Sequence, residues 1–148
     1  MAAINLNKHE IKKNEEFLFD ANIWLMNLDP VYNYKKEHSD YKLFFDNVIS
    51  NSKVRIKLPF VVLSEIVNRY LHDISFPKFC LEKGVKINNL GNKKNFYKEN
   101  FRSSSDYRGY LNILLDDIKQ YGTSIDLIPD KLGDTLKSKH ILSKIPQE

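Results

Sequence analysis

Glu16-Phe17-Leu18-Phe19-Asp20-Ala21-Asn22-Ile23-Trp24-Leu25-Met26-Asn27-Leu28 is the stretch on which the fold turns. Its first part, Glu16 to Phe19, is a short and nearly continuous apolar run, which suits a strand buried on both faces of a parallel sheet. Asp20 stops it. From Ala21 onward, Ile23, Trp24, Leu25 and Leu28 fall at helical spacing. Asp29-Pro30 ends the segment, because the residue before a proline is pushed out of the helical region. The stretch therefore reads strand, acidic residue, helix.

The same pattern returns downstream. A helix is expected after Ser39-Asp40, with Asp40 as its N-cap and Leu43, Phe44, Asn47 and Val48 on one face, broken at Asn51-Ser52. Val54, Ile56 and Leu58 alternate with Arg55 and Lys57, a half-buried strand ending at Pro59. The fixed φ of Pro59 suits a helix start, and residues 60–74 carry Val62, Leu63, Ile66, Val67, Tyr70 and Leu71 on one side. Residues 76–105 read as short helices with a mobile junction, interrupted by Gly84, Gly91 and Ser103-Ser104-Ser105. Behind Asp106, expected as an N-cap, Tyr107, Tyr110, Leu111, Leu114, Leu115, Ile118 and Tyr121 form a helical stripe closed by Gly122. Ile125, Leu127 and Ile128 suggest a strand before Pro129, and residues 131–143 a last helix. Alternation of strands with helices predicts an α/β fold in three layers, a mostly parallel central sheet flanked by helices. Such sheets bind ligands at the carboxyl ends of their strands.

With 148 residues and 42% apolar content the chain supports one hydrophobic core, expected as a single domain over 15–148 behind a polar, loosely held arm, 1–14. Cys80 stands alone, which excludes an intrachain disulfide and a Cys-rich zinc site and favours a cytoplasmic protein. The longest apolar runs fall far short of the ~20 residues of a membrane span, and the first sixteen residues lack the apolar core of a signal peptide. The abundance of Lys, Asn and Ile points to an A+T-rich bacterial genome.

The net charge of +4 is mild, yet it is concentrated. Lys78, Lys83, Lys86, Lys93, Lys94, Lys98, Arg102 and Arg108 share one stretch with few counter-charges. Either this is a solvated helical face, or Lys93, Lys94 and Arg102 bind single-stranded RNA while Phe96, Tyr97, Phe101 and Tyr107 stack on bases. The same aromatics would equally serve as core. His9, His38, His72 and His140 show no metal-ligand spacing, and Ser103 to Ser105 have no neighbouring base to make a nucleophile.

Two acids remain. Asp20 follows the first strand, where a helix cap and a functional carboxylate are both natural. Glu65, 45 positions later, lies between Leu63 and Ile66 and can pair with Arg69 at i+4. Taken together, Phe17-Leu18-Phe19-Asp20-Ala21-Asn22-Ile23-Trp24-Leu25 and Leu58-Pro59-Phe60-Val61-Val62-Leu63-Ser64-Glu65-Ile66 resemble the first two acidic motifs of PIN domains, metal-dependent ribonucleases. The resemblance implies that Asp20 and Glu65 are catalytic and hold Mg²⁺ or Mn²⁺ for attack of water on an RNA phosphodiester, with Asn22 orienting substrate or supporting the acids. A hard divalent ion asks for such carboxylate oxygens. It further implies single-stranded RNA as partner, and it admits an antitoxin-like protein, as in toxin–antitoxin pairs, and a homo-oligomer. The third acidic motif of the family is not matched: Asp126 is mid-strand, Asp130 and Asp134 fall in a loop-to-helix region, and Asp116-Asp117 late in a helix. This departure implies a truncated chain, incomplete at the C-terminus, or a degenerate member. The alternative function is then a catalytically silent PIN-like RNA-binding or protein-interaction domain.

Overall fold

Val54, Ile56 and Leu58, each at most 2% exposed, anchor a central strand, β2 (Arg55–Pro59). Around it the computed structural model describes residues 6–32, 38–121 and 125–128, the last of these as backbone. On one side β1 (Glu16–Leu18) runs parallel to β2, with Phe17 opposite Ile56 and Leu18 opposite Lys57. On the other, β3 (Ile125–Ile128) is also parallel, with Ile56 opposite Ile125 and Pro59 opposite Ile128. The sheet order is β1-β2-β3. Pro59 is tolerated in a central strand because it sits at the last position.

Parallel neighbours require long crossovers, and helices supply them. Between β1 and β2 lie α1 (Ala21–Leu28) and α2 (His38–Ile49). Between β2 and β3 lie α3 (Phe60–Tyr70), α4 (Phe76–Glu82), α5 (Lys93–Phe96) and α6 (Ser105–Gln120). The result is a helix-rich α/β arrangement around a small parallel sheet. Residues 131–143, read as a last helix, Gly122 and Pro129 lie outside the described residues.

Several local expectations change. The helix expected over 60–74 does not stop there. It passes through a wide turn, Leu71–Ser75, in which the Phe76 N–H reaches back to the Leu71 carbonyl, and continues as α4. Pro77 explains the wide turn: its ring cannot sit in a regular helical ladder without losing a bond and clashing with the turn before it. β1 is not buried on both faces. Phe17 and Phe19 stack, and both meet Phe44 edge-on, but Leu18 on the opposite face is 61% exposed. Among the described residues β1 is paired on one side only. In α2 the buried residues are Phe44, Phe45 and Val48, whereas Leu43 and Asn47 face solvent, a stripe displaced by one residue. Asp40 lies inside the first turn of that helix rather than at its cap.

Two apolar clusters result. The larger is centred on Trp24, fully buried and edge-on to Phe45 (5.1 Å between centroids) and Tyr121 (5.7 Å). Leu6 and Ile11, from the described part of the arm set apart at 1–14, rest against it. The smaller cluster joins Phe76, Phe79, Cys80 and Phe101, with Phe96, Tyr97, Tyr107 and Tyr110 packed around them. Of the aromatic residues considered for stacking on RNA, Phe101 is wholly inside this core, while Phe96, Tyr97 and Tyr107 pack against it and stay half-buried. α6 stitches the two clusters together, its Tyr107 and Tyr110 in one and its Leu114, Leu115 and Ile118 in the other.

The cap of α6 is Ser104, not Asp106. Its hydroxyl accepts from the Tyr107 N–H at 3.2 Å, while Asp106 pairs with Lys83 at 3.4 Å. Ser104→Ala should therefore cost about 1 kcal/mol of stability. Asp106→Ala should cost less, at most ~0.5 kcal/mol, since its ion pair is largely exposed. Urea unfolding of both variants checks this, and the reverse order would make Asp106 the cap.

Candidate functional site

Asp20 occupies the N-cap position of α1 with an extended backbone, and its carbonyl accepts from the Ile23 and Trp24 N–H groups. Its side chain makes no capping bond. Instead Asp20 Oδ2 accepts from Asn22 Nδ2 at 2.9 Å, and the carboxylate stays exposed at the carboxyl end of β1. The helix-cap explanation of Asp20 is thereby removed.

The other half of the site comes from α3, which springs from the carboxyl end of β2. Arg69 Nη1 donates to Asn22 Oδ1 at 2.7 Å and lies 3.4 Å from Glu65 Oε1, the i+4 pair expected from spacing. Asn22 thus offers its amide nitrogen to a carboxylate and its oxygen to a guanidinium, an orientation fixed by the two neighbours, since a flipped amide would aim N–H at N–H. The four residues form one chain, Asp20–Asn22–Arg69–Glu65, in which an amide and a guanidinium separate the two acids.

Arg69 is held from beneath. Its guanidinium lies 5.9 Å from the ring centroid of Tyr32, a cation–π contact, and Tyr32 is itself 3% exposed. The Tyr32 hydroxyl hydrogen is shared between Asp73 Oδ2 at 3.2 Å and the Arg69 carbonyl at 3.3 Å.

These residues line a cleft of about 560 Å³, with Asp20, Asn22 and Arg69 as its polar wall and Leu18, Ile23 and Tyr41 among its apolar ones. Its size is that of a ligand-binding cleft. Glu65 does not line it and reaches it only through Arg69. Carboxylate oxygens suit Mg²⁺ or Mn²⁺ by type, and one or two carboxylates with waters and substrate phosphate are an ordinary complement for Mg²⁺. Among the described residues no group of three His, Cys, Asp or Glu side chains is placed to hold a metal. Asp126 is on β3, where only the backbone is described, and Asp130 and Asp134 lie outside the described residues.

Of the basic residues singled out in the sequence, Arg102 joins this region and Lys93 and Lys94 do not. Arg102 lines a second cleft that shares Arg69 with the first, whereas the two lysines are exposed on α5 and line neither. Tyr32 was missed by sequence reading, because its partners Arg69 and Asp73 lie 37 and 41 positions away. Arg69 was visible only as a partner of Glu65. Compared with known proteins, the chain matches no protein-family model, no curated protein and no solved structure.

Because its carboxylate caps nothing, Asp20→Ala should lower stability by less than half the loss from Ser104→Ala, about 0.3–0.5 kcal/mol from the helix dipole alone. Parallel urea titrations read the difference. A loss of ~1 kcal/mol or more would restore the cap.

Proposed function

We propose that this chain is a PIN-like, metal-dependent endoribonuclease with a three-layer α/β fold, acting on single-stranded RNA at the Asp20–Glu65 site. The observation that carries the reading is the polar chain Asp20–Asn22–Arg69–Glu65. It links the two acids matched to the family motifs: Asp20, which follows β1 at the edge where such sheets bind ligands, and Glu65, in the middle of the helix that follows β2. Asp20 and Glu65 would hold Mg²⁺ or Mn²⁺, with Asn22 fixing the Asp20 carboxylate. The ion, when bound, supplies a water of lowered pKa and offsets charge on the scissile phosphodiester. Arg69 adds a cation suited to phosphate, a planar fork able to pair with two oxygens at once.

A second reading has its own support. Arg69 already pairs with Glu65, and Glu65 stands off the cleft, so the same array suits a catalytically silent PIN-like module that binds RNA or a protein. An antitoxin-like partner belongs to either reading. The exposed pair is weak, about 0.5 kcal/mol, and yields to a divalent ion at modest cost.

Cleavage of single-stranded RNA with and without Mn²⁺ decides between them. The enzyme reading expects Mn²⁺-dependent cleavage that Asp20→Asn and Glu65→Gln each reduce by about 100-fold or more, the scale of a misplaced catalytic centre. Asp130→Asn and Asp134→Asn, run alongside, ask whether an acid following β3 completes the set. RNA binding without cleavage by the wild-type chain would establish the silent module and end the enzyme reading.

A further inference from the structure

Arg69 faces two clefts. Beyond the acidic one, a cavity of about 330 Å³ is walled by Arg69, His72 and Asp73 on one side and by Tyr97, Arg102 and Tyr107 on the other. The first group comes from α3 and the wide turn after it, the second from the 97–101 turn, Arg102 directly after it and the start of α6.

Its chemistry is specific. Tyr97 is fixed by Phe76 (5.1 Å between centroids) and Phe101 (5.2 Å), and its ring lies 5.5 Å from His72 at a 46° tilt. The acid present is already engaged: the two Asp73 oxygens face the Tyr32 hydroxyl and His72 Nδ1 at 2.9 Å. Arg102 makes no ion pair among the described residues, so its charge is free to meet an anion. Burial pushes the Tyr97 hydroxyl pKa up, the nearby Tyr107 adds to this and Arg102 opposes it, so the three groups are within electrostatic reach of one another. Rigid aromatic surface beside two guanidinium groups is the combination that takes a nucleotide of a single strand: rings for the base, cations for the phosphate.

We propose that this second cleft is a nucleotide subsite for single-stranded RNA, in which Arg69 and Arg102 hold a phosphate and the base lies against Tyr97 and Tyr107. The proposal rests on the reading of the neighbouring acidic cleft as the site of RNA cleavage, since Arg69 borders both. It moves the RNA contacts away from Lys93 and Lys94 and onto Arg102, and it predicts binding that does not need metal.

The test is NMR titration of the full-length chain in EDTA with hexauridylate, where no metal-dependent cleavage takes place. Amides of Asn68, Arg69, His72, Tyr97, Arg102 and Tyr107 should shift together. Arg102→Gln should weaken binding about 10-fold, Arg102→Lys should restore part of it, and Lys93→Gln, a charge removed outside both clefts, should leave it unchanged. An abasic strand of equal length and charge should bind about 10-fold more weakly than hexauridylate, since stacking is worth that much per base. Shifts centred elsewhere, no binding, full binding by Arg102→Gln, or equal binding of the abasic strand would each overturn the subsite. Because metal is absent, these outcomes are separate from the cleavage result, and either proposal can fail alone.

Discussion

Parallel pairing of β1 with β2 is the constraint from which the rest follows. With Phe17 opposite Ile56 and Leu18 opposite Lys57, the two strands end side by side. Each is followed at once by a helix, α1 after Asp20 and α3 after Pro59. The two helices therefore leave the sheet at one edge and pack against each other, so that Asn22 in the first turn of α1 meets Arg69 in the last turn of α3 and, through it, Glu65 in mid-helix. A one-residue slip of β1 against β2 would turn Phe17 away from Phe44 and carry Asp20 to the opposite face. Burial of Ile56, Leu58, Phe19 and Trp24 opposes that slip.

What joins the acids is polar and shallow. The Arg69–Glu65 pair is exposed and contributes little to stability, so its role is to set geometry. That geometry depends on the buried Tyr32, which lies beneath the guanidinium and whose hydroxyl ties the Arg69 backbone to Asp73. A side chain locked by packing behind it is what a functional site needs from its supporting residues. The same support reaches the second cleft, because Asp73 also holds His72. One buried tyrosine thus positions one wall of each cleft.

Much of this was legible in the sequence. α1 begins and ends where Asp20 and Asp29-Pro30 place it, β2 alternates as Val54, Ile56 and Leu58 require, and β3 occupies Ile125–Ile128. The failures have local causes. Leu18 looked buried because an apolar run does not reveal whether both faces of its strand are covered. Helix α2 turned by one residue because Leu43 and Phe45 compete for the core side and the larger ring took it. Ser104 displaced Asp106 as cap because both side chains can accept from a backbone N–H of a first turn, and only the backbone decides where that turn begins. For the candidate site, the pattern singled out Asp20, Asn22 and Glu65, which the structure links, yet it carries no sign that Arg69 lies between them. Lys93 and Lys94 drew attention by charge alone, and charge density along a chain says little about which side chains share a cleft.

In the proposed enzyme Asp20 and Glu65 would act as one metal-dependent site. Paramagnetic broadening of amide resonances by substoichiometric Mn²⁺ reads this directly, since broadening falls steeply with distance from the ion. Resonances of Asp20, Asn22, Glu65 and Arg69 should broaden first and together, and both Asp20→Asn and Glu65→Gln should abolish the effect at all four. Broadening centred elsewhere, or broadening near Asp20 that survives Glu65→Gln unchanged, would contradict it.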